Sequence, residues 1–428
     1  IMAKKYKLNS VELDAIDLIF DGGKYDVLDS FINLRIDEDL DSDSLQMNVS
    51  FLDASDISNK IDFDGNENIR VKFASPGQRE IDLTFQVYKD MITPDPSNGT
   101  AKIVTLFGVT PEHYTQATLD VNQSFRGSIS KFAETVYSKL KTKRDLKVDP
   151  TTGSLLTIVP GMTPFEAMNF LTSRAYDANF KSSAFKFYED ADGYNFRNVE
   201  SLIADGKASP IIYKQSPSAL VQNESEAQQY DIQHLEIDTG KDVMSKIKSG
   251  MYASEAKEID LINQTVIESS FLMKNQFDEF EHLDDDAMSL DSKKMLSDHF
   301  SQINTSYWLV RNIDSLMEES NFTEIIPRRM YYLSALEQVK CKLGIPGNSD
   351  MGVGKVVHLD ILEMTARTES REPEGKISGN YLVTKVTHLL EKGKGYTQAV
   401  QMCKESYRSN VRYPHKNVVS KRKSAKRL

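Results

Sequence analysis

The sequence is short of cysteine, since only Cys341 and Cys403 occur among its 428 residues. Two thiols cannot build a disulfide framework, and neither belongs to a CxxC pair that could bind zinc or carry redox chemistry. Each falls within an alternating strand pattern, which predicts a buried free thiol. Tryptophan is equally scarce, and the single Trp308 lies in a segment that is expected to pack rather than to bind a ligand.

Long apolar runs are also missing. No stretch of about 18 apolar residues could span a membrane, and the opening IMAKKYKLNS lacks the apolar core of a signal peptide. We therefore expect a protein that is neither exported nor inserted into a membrane. The composition, with 39% hydrophobic and 27% charged residues, is ordinary for a globular chain, and its length suits two to four domains.

Motifs of known chemistry are absent. The GVGK stretch at residues 352–355 fails the phosphate-binding GxxxxGK pattern, because Ser349 stands at its first glycine and Val356 follows its lysine. The seven histidines form no HExxH or HxH pair, and no GxSxG nucleophile elbow occurs. DEDLDSDS at residues 37–44 lacks the glycine and glutamate of a calcium loop. The sequence predicts no enzyme, no metal and no cofactor.

One acidic run leaves a catalytic alternative open. Its carboxylates are Asp278, Glu279, Glu281, Asp284, Asp285 and Asp286. Clustered carboxylates can bind a metal ion or act as acid and base, so a carboxylate-dependent hydrolase is one interpretation. A run of this kind is more often a solvated surface, and we prefer that interpretation. A helix is expected directly after it, over residues 288–303.

Positive charge is concentrated near the end of the sequence. The net charge is −11, yet residues 411–428 carry seven basic residues and no acid, so the remainder carries −18. An acidic body argues against nucleic-acid binding by the fold, because affinity for DNA comes largely from neutralised phosphates. The tail is open to three interpretations: a solvated terminus, docking on an acidic partner surface, or contact with DNA. Its candidate docking residues are Arg412, Lys416, Lys421, Arg422, Lys423, Lys426 and Arg427.

Alternation of apolar and polar residues predicts strands over most of residues 6–114, with Gly, Asn, Asp and Pro between them. Short strands at this spacing indicate a barrel or a sandwich. Two further strands are expected within residues 229–267, YDIQHLEID and the longer KSGMYASEAKEIDLINQTVI.

Helical spacing appears in the middle of the sequence. Ser128 is placed to cap one amphipathic helix. Another helix begins at Thr163, with Pro164 as its first residue and Glu166 as the capping-box partner. A hairpin follows it, and its second strand is expected to run over residues 193–203.

A second hairpin is predicted near the C-terminus. Residues 381–390 alternate, an EKGKG turn reverses the chain, and residues 396–403 alternate again. This pattern predicts the closing edge of a small sheet or barrel. The polar stretch at residues 366–376, which precedes it, is expected to be a mobile loop.

Three parts of the sequence, in this order, resemble the baseplate hub proteins of contractile-tail (myovirus) bacteriophages. They are DGNENIRV at residues 64–71, TPFEAMNFLTSRA with the FKFYEDADGYNF that follows, and the run from Pro346 through ISGNYLVTKVTH to Met402. That family includes the T-even central hub, the late control D proteins and the base of the VgrG spikes. The resemblance extends over most of residues 8–406.

The resemblance implies an α+β fold, with two tail-tube-like β-barrels and, between them, an α/β domain and a helical insertion. The implied segments are residues 1–115 for the first barrel, 116–225 for the α/β domain, 226–270 for the start of the second barrel, 271–330 for the acidic helical insertion, 331–408 for the rest of the second barrel and 409–428 for a basic tail.

The resemblance further implies a structural role in the virion tail, with assembly in the host cytoplasm. Three chains would form a ring that joins the hexameric tail tube to the trimeric central spike, among other baseplate proteins. DNA would pass through this homotrimer without specific binding. The base of a VgrG-like spike is the alternative within the family. It would need a long repeat-rich C-terminal part, so the hub interpretation is preferred.

Overall fold

The computed structural model describes residues 8–95, 101–215, 230–238, 243–261, 263–287, 303, 305–310, 322–361 and 377–407. Strands account for 49% of the described residues and helices lie between them, which makes the fold α+β. Within the described ranges, no helix combines the length and the apolar character that crossing a membrane requires.

The N-terminal half consists of strands with one 3₁₀ turn, Ile57–Asn59. The strands are β1 (Glu12–Phe20), β2 (Gly23–Asp26), β3 (Phe31–Asp39), β4 (Gln46–Asp53), β5 (Asn68–Ala74), β6 (Glu80–Pro94) and β7 (Lys102–Val109). Alternation explains them, since Ile69, Val71 and Phe73 are buried in β5 while their neighbours are partly exposed. The strands predicted in this region are present.

The middle of the chain mixes helices and strands. Its elements are α1 (Pro111–Ala117), β8 (Val121–Gly127), α2 (Ile129–Ser138), β9 (Asp145–Val148), β10 (Leu155–Met162), α3 (Pro164–Thr172), β11 (Phe185–Asp190), β12 (Gly193–Asn198), α4 (Val199–Ala208) and β13 (Ile211–Lys214). The capping box of Thr163 and Glu166 is confirmed. Ser128 occupies the N-cap of α2, but its side chain makes no capping hydrogen bond.

The strand predicted to continue to Ile203 is wrong. It ends at Asn198, whose side-chain oxygen accepts the N–H of Glu200 and so begins α4. Val199, Leu202 and Ile203 are buried together, because helical spacing places them on one face.

The remaining elements are β14 (His234–Asp238), α5 (Val243–Lys248), β15 (Ala253–Asp260), β16 (Thr265–Leu272), α6 (Met273–Gln276), β17 (Asp286–Ala287), β18 (Thr305–Val310), α7 (Phe322–Leu336), β19 (Val339–Pro346), β20 (Val356–Asp360), β21 (Gly379–Glu391), β22 (Gly395–Lys404) and β23 (Ser406–Tyr407). The single long strand predicted up to Ile267 is a hairpin, turned where Asp260 accepts the N–H of Asn263. The helix predicted after Asp286 and the loop at residues 366–376 lie outside the described residues, apart from residue 303.

The C-terminal hairpin is confirmed, because β21 and β22 pair in antiparallel register around the predicted turn. Gly393 and Gly395 have φ angles of 86° and 90°, a region that glycine adopts without steric cost. A bulge between Val383 and Lys385 interrupts the alternation of β21.

Trp308 does not pack inside the fold. It is 64% exposed on β18, which lies at the edge of a three-stranded sheet in the order β16-β15-β18. The alternation of β18 turns Ser306, Trp308 and Val310 outward, and Nζ of Lys257 lies 5.5 Å from the centre of the tryptophan ring.

The main sheet runs through both ends of the chain in the order β14-β19-β22-β21-β3-β4-β7-β6-β5-β1-β2, with β20 beside β21 and β13 beside β20. The pairing of β3 with β21, from Asp39 and Lys385 to Asn33 and Glu391, joins the two halves. Among the described strands no sheet closes into a barrel, so the predicted two-barrel architecture is not confirmed.

Three apolar cores lie under these layers. In the N-terminal half the sheet curls over, so that Ile16 of β1 and Val71 of β5 pack in the same core as Val49 of β4. A second core lies between α2, α3, β11 and β12. The third lies under β19 to β22 and is covered by α4 and α7.

Candidate functional site

The candidate site is a broad surface made by eight neighbouring strands, β14-β19-β22-β21-β3-β4-β7-β6. The first four belong to the C-terminal half and the last four to the N-terminal half. One side of these strands covers the apolar cores, and we call the other side the open face. The register aligns on it Glu236, Lys342, Gln401, Ala399, Lys385, Thr387, Asp37, Arg35, Asn48, Ser50, Phe107, Thr105, Lys89 and Met91.

Local sequence alternation creates the open face. In β3, Leu34 and Ile36 point into the core, so Arg35 and Asp37 point away from it. In β22, Val400 is buried while its neighbours Ala399 and Gln401 are exposed. Because consecutive strands are in register, these polar positions line up across the junction of the two halves.

Charges on the open face compensate one another. Arg35 Nε lies 2.7 Å from Asp37, and Lys385 Nζ lies 3.2 Å from Asp39. Lys342 Nζ lies 3.5 Å from Glu236 on the adjacent strand. Exposed pairs of this kind add little stability, about 0–1 kcal/mol each. Their effect here is to place an acid beside each of these three bases, which weakens the attraction of the surface for a polyanion.

A buried polar network fixes the two halves together beneath the open face. Nε2 of His388 lies 3.2 Å from Oε1 of Glu38, and its Nδ1 lies 2.7 Å from the Tyr396 hydroxyl. The amide oxygen of Gln398 accepts the N–H of Asn348 at 3.0 Å, which leaves the Gln398 nitrogen to donate to His388 Nδ1 at 3.2 Å. The Gln398 nitrogen also donates to the Tyr396 hydroxyl at 2.9 Å, so both ring nitrogens of His388 have hydrogen-bond partners within this network.

Two turns also meet at the junction of the two halves, which we call the seam. The N–H of Ser75 donates to Oγ of Ser349 at 3.2 Å, and Oγ of Ser75 donates to the carbonyl of Gly347 at 2.9 Å. Oγ of Ser349 in turn donates to the carbonyl of Arg79 at 2.7 Å. These bonds join the β5–β6 turn to the turn after β19. The four strands from each half therefore form one rigid surface.

Among the residues that the structure describes, the eight-strand surface has an unpaired edge at each end. β5 pairs with β6 only from Glu80 to Gln86, so residues 88–94 are bonded on one side, to β7. Tyr88, Met91 and Ile92 are exposed there. At the other end β14 pairs with β19 alone among the strands that the structure describes. Unpaired edges are sites where a further strand can add.

The acidic run does not form a catalytic cluster. Its members point to different partners: Glu279 to Arg328 at 2.5 Å, Glu281 to Lys207 at 2.7 Å and Asp284 to Lys404 at 2.6 Å. Asp278 and Asp285 are exposed, and Asp286 begins β17. The described residues contain no group of three or more His, Cys, Asp or Glu side chains that could hold a metal ion.

The other residues singled out in the sequence are structural. Cys341 and Cys403 are buried free thiols, as predicted, and burial raises the pKa of each to about 12. Lys355 of the GVGK stretch donates to the backbone oxygen of Asp350. The candidate docking residues of the tail, from Arg412 to Arg427, lie outside the described residues.

The sequence analysis did not predict the buried polar network at the seam, although the sequence contains a signal for it. Glu38, His388 and Gln398 occupy positions whose strand neighbours two residues away are core residues such as Ile36 and Val400. A polar side chain at a core-facing position needs a buried partner. Alternation can therefore mark such a residue, while its partner is known only from the folded chain.

Comparison with known proteins bears on the fold. No protein-family model matches the sequence, and no curated protein matches it. A tail protein from Neisseria meningitidis MC58 is similar in structure, with a TM-score of 0.54 at 12% identity, over 95% of this chain and 100% of that one. The 43 kDa tail protein of prophage MuSo2 from Shewanella oneidensis gives a TM-score of 0.51 at 10% identity, over 91% and 97%.

The chain shares the fold of these tail proteins. A Francisella PdpA-VgrG complex is also similar over 95% of this chain and 60% of that one, at 10% identity, but its TM-score of 0.47 is too low to support an argument.

Proposed function

We propose that the chain is the structural hub of a contractile-tail phage baseplate, a homotrimer without catalytic activity that surrounds the DNA passage of the virion tail. The open face is the observation that carries this proposal. A tail-protein fold that presents one wide polar sheet surface, supported beneath by a rigid seam, suits the wall of a passage.

The proposed threefold symmetry of the assembly explains how the open face would be used. Each half of the chain contributes four adjacent antiparallel strands to the open face, so one chain carries two comparable units. Three chains then present six units towards the hexameric tail tube while keeping threefold symmetry for the trimeric spike. In this proposal residues 1–115, and residues 226–270 with 331–408, are the two barrel-like domains. Residues 116–225 and 271–330 are the α/β domain and the insertion between them.

The two unpaired edges supply a contact between chains. Residues 88–94 of one copy would lie beside β14 of the next, continuing the sheet around the ring. This contact would also cover the exposed Tyr88, Met91 and Ile92, which are costly to leave in water on a sheet edge.

The chemistry of the open face suits transit of DNA. Three of its bases are accompanied by acids, in the pairs of Arg35 with Asp37, Lys385 with Asp39 and Lys342 with Glu236. Tight binding of DNA needs several phosphates neutralised by uncompensated cations. A passage lined this way would let DNA slide without being held.

The basic tail at residues 409–428 is proposed as a separate docking segment for an acidic surface of a neighbouring baseplate protein. The tail is basic, whereas the remainder of the chain carries a net charge of −18. A neighbouring protein with a similarly acidic surface would therefore attract the tail.

The mass of the full chain in solution tests the hub proposal. Light scattering should give about 145 kDa, three times the 48.4 kDa of one chain. Ile92→Asp places a charge on the β6 edge and should reduce the mass to that of a monomer. Ile158→Asp is the matched control, because Ile158 is an exposed isoleucine on β10, away from both edges. A monomer at every concentration, or a trimer that Ile92→Asp leaves intact, would contradict the proposed assembly.

A further inference from the structure

Residues 277–287, here called the clasp, hold together three distant parts of the chain. They contain the acidic run, and its carboxylates serve as ties. These ties are Glu281 to Lys207 of α4 at 2.7 Å, Glu279 to Arg328 of α7 at 2.5 Å and Asp284 to Lys404 of β22 at 2.6 Å. The clasp ends in β17, which pairs with β23 through only two residues of each strand. Such a short pairing depends on the contacts around it.

His282 lies at the centre of the clasp with an acceptor at each ring nitrogen. Nε2 is 2.7 Å from the carbonyl of Phe277, and Nδ1 is 3.2 Å from Oε2 of Glu405. The other oxygen of Glu405 accepts the N–H of Leu283 at 2.7 Å and the hydroxyl of Ser406 at 2.9 Å. A neutral imidazole can donate from only one nitrogen. The contact of His282 with Glu405 therefore holds an additional proton.

His388 provides a contrast within the same chain. It too contacts a buried carboxylate, but its second nitrogen lies beside two groups that can donate to it, the Tyr396 hydroxyl and the Gln398 amide. The hydrogen bonds of His388 can therefore be made with one ring proton, whereas the two acceptors at His282 need two. The site is also shielded, since the side chains of His282 and Glu405 are 11% and 2% exposed.

Charged groups from every neighbouring element surround His282. Glu200 of α4 accepts the N–H of Glu281 at 3.2 Å, and Lys207 of α4 donates to the carbonyl of His282 at 2.6 Å. Burial opposes protonation of His282, but the hydrogen bond and charge of Glu405 outweigh it and raise its pKa above the ordinary 6.5. Burial also raises the pKa of Glu200 to about 7. The ion pair of Asp284 with Lys404 and that of Glu279 with Arg328 complete the charged surroundings, beside Tyr331 and Tyr332 of α7.

We propose that the clasp is a proton-dependent latch on the last strand of the fold. With the proton in place, His282 and Glu405 attract each other and β17 stays paired with β23. When the proton leaves, one of the two acceptors, the Glu405 carboxylate or the Phe277 carbonyl, faces the lone pair of a neutral imidazole, and the clasp separates from β23. The latch therefore controls whether Ser406 and Tyr407 stay paired with residues 286–287. This inference does not depend on the hub proposal.

The direction of the pH dependence of closure follows from the number of protons that the closed and open clasp bind. The closed clasp binds one proton more than the open clasp, so closure is favoured at low pH and weakens as the pH rises through the pKa of His282. At most, release of one proton changes the closing equilibrium roughly tenfold per pH unit.

Hydrogen exchange of the full chain tests the latch. Protection factors, which correct for the intrinsic pH dependence of exchange, should fall for residues 277–287 and 404–407 between about pH 6 and about pH 8.5, by up to roughly tenfold per unit. Protection in α3, which packs on the Glu189 strand β11, should show the same pH dependence in His282→Gln as in the unaltered chain. His282→Gln should flatten the response, whereas His234→Gln, at an exposed position on β14, should keep it. Equal protection at both pH values, or a response that His282→Gln retains, would overturn the proposal.

A second measurement avoids substitution altogether. Nitrogen NMR of the histidine rings in the unaltered chain should show that His282 keeps its imidazolium form above the ordinary pKa of 6.5. A His282 ring that is already neutral at about pH 6 would overturn the latch even if the variants fail to fold.

Discussion

Oε1 of Glu38 lies 3.2 Å from Nε2 of His388, and each side chain is 1% exposed. The two residues are 350 positions apart in the sequence, on β3 and β21. Their contact lies where the N-terminal and C-terminal halves share one sheet. A single buried hydrogen bond thus helps hold together the surface that we propose as the wall of the passage.

Glu38→Leu should destabilise the fold strongly. The substitution removes the acceptor for His388 Nε2–H and for the N–H of Val353, which lies 3.3 Å from Oε2 of Glu38. Leaving a buried donor of this kind without an acceptor costs about 1–3 kcal/mol for each donor. The urea midpoint of unfolding measures the effect. Glu38→Gln keeps an acceptor and should cost much less, so equal midpoints for the two variants would show that the buried hydrogen bonds do not matter.

Gly347→Ala should also loosen the seam. A Cβ at this position would lie 2.0 Å from Cδ1 of Tyr396, in a ring that contacts the seam network. Relieving such an overlap in a packed interior costs about 1–3 kcal/mol. Thermal unfolding of the two alanine variants provides the comparison, because a Cβ at Gly352 would meet Glu38 at an ordinary 3.4 Å. We expect a clear loss of Tm for Gly347→Ala and a small one for Gly352→Ala; the reverse order would contradict this packing.

Stability should fall as the pH rises from about 5 to about 8, in part because of Glu189. This side chain lies between the first half and the α/β region, where its Oε2 accepts the N–H of Leu45 at 2.9 Å and the hydroxyl of Thr110 at 2.7 Å. Burial raises its pKa to about 7 from 4.5, against the opposing charge of Arg144. The folded state therefore binds more protons than the unfolded state in this interval, and stability decreases by at most about 1.4 kcal/mol per pH unit.

Urea midpoints at several pH values test the contribution of Glu189. Glu189→Gln should reduce the slope, since it keeps the acceptor without the ionisation. Glu134→Gln, on the exposed side of α2, should leave the slope unchanged. An unchanged slope in Glu189→Gln would show that other groups govern the pH dependence.

Local patterns predicted those elements whose cause is local. The capping box of Thr163 and Glu166 is confirmed, because four consecutive residues contain all of its chemistry. Prediction failed after Asn198, where the short segment VESLI fits a strand and a helix equally well and the N-cap decides. It failed again at Trp308, because burial depends on which strands lie beside β18.

The sequence by itself determined the α+β class, most strand positions and the polar side of each strand, since alternation and caps act between neighbours. Only the tertiary structure decided that β3 lies beside β21, that Glu38 meets His388, and that the acidic run is divided among Arg328, Lys207 and Lys404. These contacts join segments far apart in the chain. Their partners are selected by the free energy of the whole fold, which no local pattern records.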